Sequence, residues 1–95
     1  MYQFKELLPL GSVVVLHGGE KKLMISGRLQ RHKQSGQVYD YGAVYWPEGY
    51  LSSEEYYLFN DEDIARLLYV GLQNEEEFAF RHILARECEA LNRPA

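Results

Sequence analysis

Between Pro9 and Gly49, glycine and proline cut the chain into segments too short and too β-branched to be helices. Residues 12–17, SVVVLH, form an apolar run that reads as a buried strand. Gly18-Gly19 turns it, because glycine enters positive φ without a steric penalty. Residues 22–30 read as the return strand. Leu23, Ile25, Gly27 and Leu29 share one face; Met24, Ser26, Arg28 and Gln30 share the other. A glycine on the apolar face marks a bulge, or a bend where another backbone or ring comes close. A polar turn over 32–36 leads to a third strand over 37–46, and Pro47, which cannot donate to a ladder, ends it. There Tyr39, Tyr41, Ala43 and Tyr45 alternate with Val38, Asp40, Gly42, Val44 and Trp46. Neither set is plainly polar, so both faces are expected to be partly covered.

The second half changes period. Residues 56–59 read as a short fourth strand. Asn60 is placed to cap a short helix over 61–66, with Asp61, Glu62 and Asp63 complementing its dipole. Residues 67–70 follow as a fifth strand, ended by Gly71. Asn74 and Glu77 have the spacing of a capping box. Phe80, Ile83, Leu84, Cys88 and Leu91 then recur at helical spacing as one apolar stripe, giving a C-terminal helix over 74–92. The first eight residues read as an arm or a helical turn. With 95 residues the chain is expected to be one domain, 1–95, its sheet spanning 12–71. The fold class is α+β: a strongly bent antiparallel sheet of about five strands, open or partly closed as a small barrel, with a short helix and a C-terminal helix packed on it.

Charge and composition exclude several classes. Ten Lys and Arg stand against 14 Asp and Glu, a net −4, which argues against nucleic acid as a partner. Lys21, Lys22, Arg28, Arg31 and Lys33 make a basic hairpin region, while acids dominate 48–77. An acidic patch there would steer a basic or mixed-charge protein. Apolar runs such as Val13–Leu16 are far too short to span a bilayer, so no direct membrane contact is expected. A single cysteine excludes an internal disulfide. The opening residues lack the apolar core of a secretory leader, so the expected compartment is cytoplasmic.

Catalytic, metal and cofactor sites are not expected. His17, His32 and His82 fall on a strand end, a turn and a helix, and none has metal-ligand spacing with another or with Cys88. Cys88 lies on the apolar stripe, where a thiol is a small hydrophobe. Gly18-Gly19-Glu20-Lys21-Lys22 lacks the spacing of a phosphate loop. The acid clusters sit where helices start. The chain is therefore read as no enzyme. What remains is a crowd of aromatics: Tyr39, Tyr41, Tyr45, Trp46, Tyr50, Tyr56 and Tyr57. Some must pack the core, but a small domain has little room for all of them. The surplus is the candidate protein-binding surface.

Three stretches resemble, in order and spacing, one known family. They are LPLGSVVVLHGGEKKLMISGRLQ over 8–30, YDYGAVYWPEGY over 39–50 and FNDEDIARLLYVGLQNEEE over 59–77. The family comprises small Firmicutes domains encoded beside LXG toxins in type VII secretion clusters. Leu8, Pro9, Gly11, Ser12, Gly18, Gly19, Gly27, Arg28, Pro47, Glu48, Gly49, Phe59, Asn60, Asp63, Ile64 and Gly71 carry the likeness, mostly as turns, a cap and a bend. His17 departs from it, standing where a longer basic or polar residue is expected. The resemblance implies a cytosolic accessory, adaptor- or chaperone-like, that binds the export domain of an LXG-type toxin. That domain is largely helical, so the contact would set a helix against a sheet or groove. The alternative is an immunity protein on a toxin's active domain; a small enzyme or nucleotide-binding domain ranks below both. Edge strands would also permit a homodimer.

Overall fold

The computed structural model describes residues 6–93. Five strands form one antiparallel sheet: β1 (Val13–Leu16), β2 (Leu23–Arg31), β3 (Val38–Tyr45), β4 (Tyr57–Phe59) and β5 (Ile64–Tyr69). Their order is β4-β3-β2-β1-β5. One helix, α1 (Glu75–Ala90), packs on one face. The fold is thus α+β. The sheet is open, with β4 and β5 as edges, and does not close into a barrel. Residues 1–5 of the expected arm lie outside the described residues. At its end, Leu7, Leu8 and Pro9 are buried.

The β1–β2 turn forms as its glycines require, with Gly18 at φ +80°. Inside β2 the pairing jumps from Ile25↔Ala43 to Gly27↔Gly42, so Ser26 is an extra residue. This bulge corrects the face assignment made from simple alternation. Arg28, opposite Tyr41, joins Leu23 and Ile25 on the helix side, and Gly27 turns to the other. Gly27 and Gly42 then lie side by side as a bare patch, and Tyr56 fills it. A Cβ on Gly42 would stand 2.2 Å from the Tyr56 hydroxyl, and one on Gly27 2.9 Å from it. Leu29 reaches the core with φ at 52°.

The core joins Val14, Leu23, Ile25, Tyr41, Ala43, Phe59 and Ile64 from the sheet with Leu84 and Cys88 from α1 and Leu7 and Leu8 from the N-terminal segment. The helical stripe is narrower than its spacing implied. Leu84 and Cys88 are buried and Leu91 half-buried, but Phe80 and Ile83 are each 44% exposed. Leu7 and Leu8 fill part of that side of the sheet, so α1 meets it along a single ridge.

The short helix over 61–66 is also corrected. Only Asp61–Asp63 turn, as a 3-10 segment, and β5 begins at Ile64. Ile64 is buried opposite Leu16; pairing with β1 outcompetes a helix too short to propagate. A second 3-10 turn, Ser53–Glu55, precedes β4 and had no sequence signal. At the start of α1, the Asn74 side chain accepts from the Glu77 N–H at 3.0 Å. The reciprocal half of the expected box is replaced, because the Glu77 carboxylate binds Arg28 and Arg81. At the other end Asn92 takes φ +61° and the Arg93 N–H closes on the Cys88 carbonyl at 2.7 Å, a left-handed C-terminal cap. The cap throws Arg93 back to the sheet, where it binds Asp40, the Val38 carbonyl at 2.9 Å and the Asn60 side chain at 2.8 Å.

Tyr41 ties these parts together. Its buried hydroxyl accepts from the Leu8 N–H and donates to Asp61, both at 2.9 Å. Tyr41→Phe strands the Leu8 donor and is expected to cost ~1–3 kcal/mol. Thermal unfolding should show a Tm lower by at least about 4 °C. A Tm unchanged to within experimental error would mean the hydroxyl adds nothing.

Candidate protein-binding site

The face away from α1 is built by register. Val13 pairs with Met24, and Met24 with Val44. The Trp46 N–H donates to the Lys22 carbonyl at 2.9 Å, which sets Trp46 beside Lys22. On the other flank Val13 pairs with Tyr69 and Val14 with Leu67, leaving Leu68 as an extra residue between them. The result is a groove of about 520 Å³ lined by Val13, Lys22, Met24, Trp46, Leu68 and Tyr69, with Gly11 at one end. Its floor is closed, since Val13 is buried. Its walls are open: Trp46 is 44% exposed and Tyr69 64%. A tryptophan and a tyrosine flanking an apolar floor are the side chains that anchor protein interfaces.

The aromatics expected to form one surface divide between two faces. Trp46 alone among them lines the groove. Tyr56 lies on the groove's side of the sheet, over Gly42, with its hydroxyl near Ser26 at 3.3 Å. Tyr50 is exposed in the loop after β3. Tyr45 and Tyr57 sit on the helix side at the β3–β4 edge, Tyr57 opposite Ala43. Their hydroxyls are 2.7 Å apart and their rings meet edge-on at 5.4 Å. The Tyr57 hydrogen bond, helped by desolvation, pushes the Tyr45 hydroxyl up to about 12. Lys21 caps that ring at 5.6 Å and binds Glu48 at 2.7 Å, and this hydrogen bond lowers the Glu48 carboxyl below its ordinary range. Tyr39 is half-buried opposite Gln30. Tyr41 is fully buried and belongs to the core, so it is withdrawn from the anchors: its hydroxyl is consumed by Leu8 and Asp61.

Met24, Leu68, Tyr69 and the second face of β1 were not foreseen as site residues. A signal existed in β1, whose Val13 and Val15 are as apolar as Val14 and Leu16. A strand apolar on both faces needs a cover on both. The Leu68 bulge left no trace in the sequence.

Other chemistry is sparse. His32 is engaged within its turn, its Nδ1 3.0 Å from the Ser35 hydroxyl, and His17 and His82 are exposed. No group of three or more His, Cys, Asp or Glu among the described residues is placed to hold a metal. Burial, with Asp40 nearby, pushes the Cys88 thiol up, away from the reactive thiolate. No helix among the described residues is long and apolar enough to cross a membrane.

Fold and groove together define a small α+β domain with an apolar trough on the uncovered face of its sheet. Residues 7–80 match the family described as a domain of unknown function, DUF4176, and the chain belongs to that family. The match spans the whole sheet and the first turns of α1. No curated protein and no solved structure matches the chain.

Proposed function

We propose that this protein is a non-enzymatic, adaptor- or chaperone-like accessory of type VII secretion that acts in the cytoplasm and binds the helical export domain of an LXG-type toxin. The observation that carries the binding role is the open groove with Trp46 and Tyr69 on its walls. Its shape suits an elongated apolar ridge, which is what one side of a helix presents. The choice of partner rests on the sequence resemblance described above. Co-expression with an LXG-type toxin from the same genome tests the proposal, and fragments of the toxin locate the contact. Trp46→Ala and Tyr69→Ala should each weaken the complex by more than ~1 kcal/mol, about fivefold, with the Tm unchanged. Loss of co-purification with every small partner of the cluster present, or an affinity indifferent to both substitutions, overturns the proposal. Retention of the toxin's active domain alone would make the protein an immunity factor instead.

A further inference from the structure

The groove's charge is opposite to that of the protein. The net charge is −4, yet no acid lines the groove and Lys22 does. Across the ladder, Arg66 pairs with Val15, which places it on the same face as Val13 and Tyr69. Four other cations are engaged by acids, Lys21 by Glu48, Arg28 and Arg81 by Glu77, and Arg93 by Asp40. Lys33 and Arg86, which have no ion pair among the described residues, lie in the β2–β3 turn and on α1, away from the groove lining. The side chains of Lys22 and Arg66 belong to exposed residues and have no ion pair or hydrogen-bond partner among the described residues. Asp40 is the one acid in the five strands, and Arg93 and the Asp61 N–H take its oxygens.

We propose that the groove receives an acidic amphipathic helix of a partner protein, its apolar side against Trp46, Leu68 and Tyr69 and its carboxylates on Lys22 and Arg66. This rests on reading the groove as a protein-binding site. An added strand is the weaker occupant. Strand addition needs a regular free edge, but β4 has three residues and β5 is interrupted by two register breaks. A small ligand is weaker too. The groove is open, with Trp46, Leu68 and Tyr69 41–64% exposed, which suits an elongated partner better than an enclosed small molecule. A second copy is the strongest rival, since α1 exposes Phe80 and Ile83 among glutamates. However, α1 and the groove lie on opposite faces, so that contact would be head-to-tail and would grow chains rather than close a dimer.

Two synthetic helical peptides of about 18 residues, five turns, provide the test. They share one Leu and Trp stripe and differ only in flanking Glu or Lys, and binding is read by fluorescence anisotropy at low salt. The Glu peptide should bind about tenfold tighter, against the pull of the protein's net charge, and should weaken as salt rises. The double variant Lys22→Glu, Arg66→Glu should abolish the preference. Arg86→Glu, on the exposed side of α1, should leave it intact. Equal binding, tighter binding of the Lys peptide, or no binding of either overturns the proposal. So does concentration-dependent self-association that Trp46→Ala abolishes. The two readings fail separately. Peptide discrimination without toxin binding keeps the groove's chemistry and removes the secretion partner. A toxin complex sensitive to Trp46→Ala but not to the charge reversals keeps the accessory role and removes the acidic helix.

Discussion

Glu77→Ala is expected to cost ~3–5 kcal/mol, the range for removing one partner of a buried ion pair. Glu77 is the hub on which α1 docks. Its two carboxylate oxygens take both terminal nitrogens of Arg28, at 2.6 and 2.8 Å, and the Arg81 Nε joins at 3.0 Å. The side chains of Arg28 and Glu77 are only 4% and 10% exposed. Arg28 also lies 5.3 Å from the centre of the Phe80 ring, so its charge is packed as well as paired. Deleting Glu77 leaves the buried Arg28 guanidinium without its anion and Arg81 with only Glu6 and Gln73, so two cations lose a shared partner, which is why this variant should exceed Arg28→Ala. Thermal unfolding should show a Tm lower by more than about 12 °C. The pH dependence has a definite sign. Burial alone would raise the Glu77 carboxyl, but hydrogen bonds and charge from Arg28 and Arg81 outweigh it and hold the group below its ordinary range. The folded state therefore binds that proton less readily than the unfolded chain. The stabilisation is complete above the unfolded carboxyl value of about 4.3 and is lost as pH falls through it and on to the lower folded value. Wild-type Tm should thus fall more steeply than that of Glu77→Gln below about pH 4.5. Parallel acid slopes, or a Glu77→Ala protein within about 4 °C of wild type, would remove Glu77 from this role.

That hub explains where sequence reading succeeds and where it stops. β1, the Gly18-Gly19 turn, β3 and the start of α1 were legible, because glycine, proline, β-branched runs and an Asn cap each act locally. Alternation places Arg28 on the wrong face because it assumes a uniform pleat, and the extra Ser26 shifts Gly27 and Arg28 by one. With Arg28 misplaced, Glu77 had no visible partner and read as half of a capping box. The helix expected over 61–66 failed for a related reason. Asn60 and its acids start a turn, and the Asp63 carboxylate does accept from the Asn60 N–H at 2.9 Å, but Ile64 is claimed by β1 far away in sequence. The groove was the least legible part. It is assembled from β1, β2, β5 and the residue after β3, and no local pattern joins Met24 to Tyr69. The tyrosines between 39 and 57 are close in sequence but split between the two faces of the sheet.

Gly71→Ala is expected to destabilise by ~3 kcal/mol or more, at the upper end for overpacking, because the atoms nearest the new methyl are all backbone. A Cβ there would stand 1.9 Å from the Leu10 carbonyl oxygen, 2.8 Å from its carbon and 3.0 Å from the Ser12 nitrogen. Neither segment can retreat. The Gly71 N–H donates to the Ser12 hydroxyl at 3.0 Å, and that hydroxyl donates to the Pro9 carbonyl at 2.8 Å. The stretch between is strapped to β2: Gly11 donates to the Ile25 carbonyl and Ile25 to the Ser12 carbonyl, both at 2.8 Å. Gly42→Ala is the informative contrast. Its Cβ would be nominally as close to Tyr56, at 2.2 Å, but Tyr56 is a side chain able to swing away. Adding Tyr56→Ala to Gly42→Ala should therefore recover most of the loss, whereas adding Leu10→Ala to Gly71→Ala should recover none, since the Leu10 atoms in the way are backbone. Thermal unfolding of the four variants decides this, and a Gly71→Ala protein with near wild-type Tm would show that the joint yields. The same joint sets the groove. Gly71 follows β5 by two residues and packs on the segment that leads into β1, so it holds Tyr69 against Val13 across the groove floor. Any Gly71→Ala protein that remains folded should accordingly bind its partner more weakly than Leu10→Ala, although Gly71 itself lies below the contact surface.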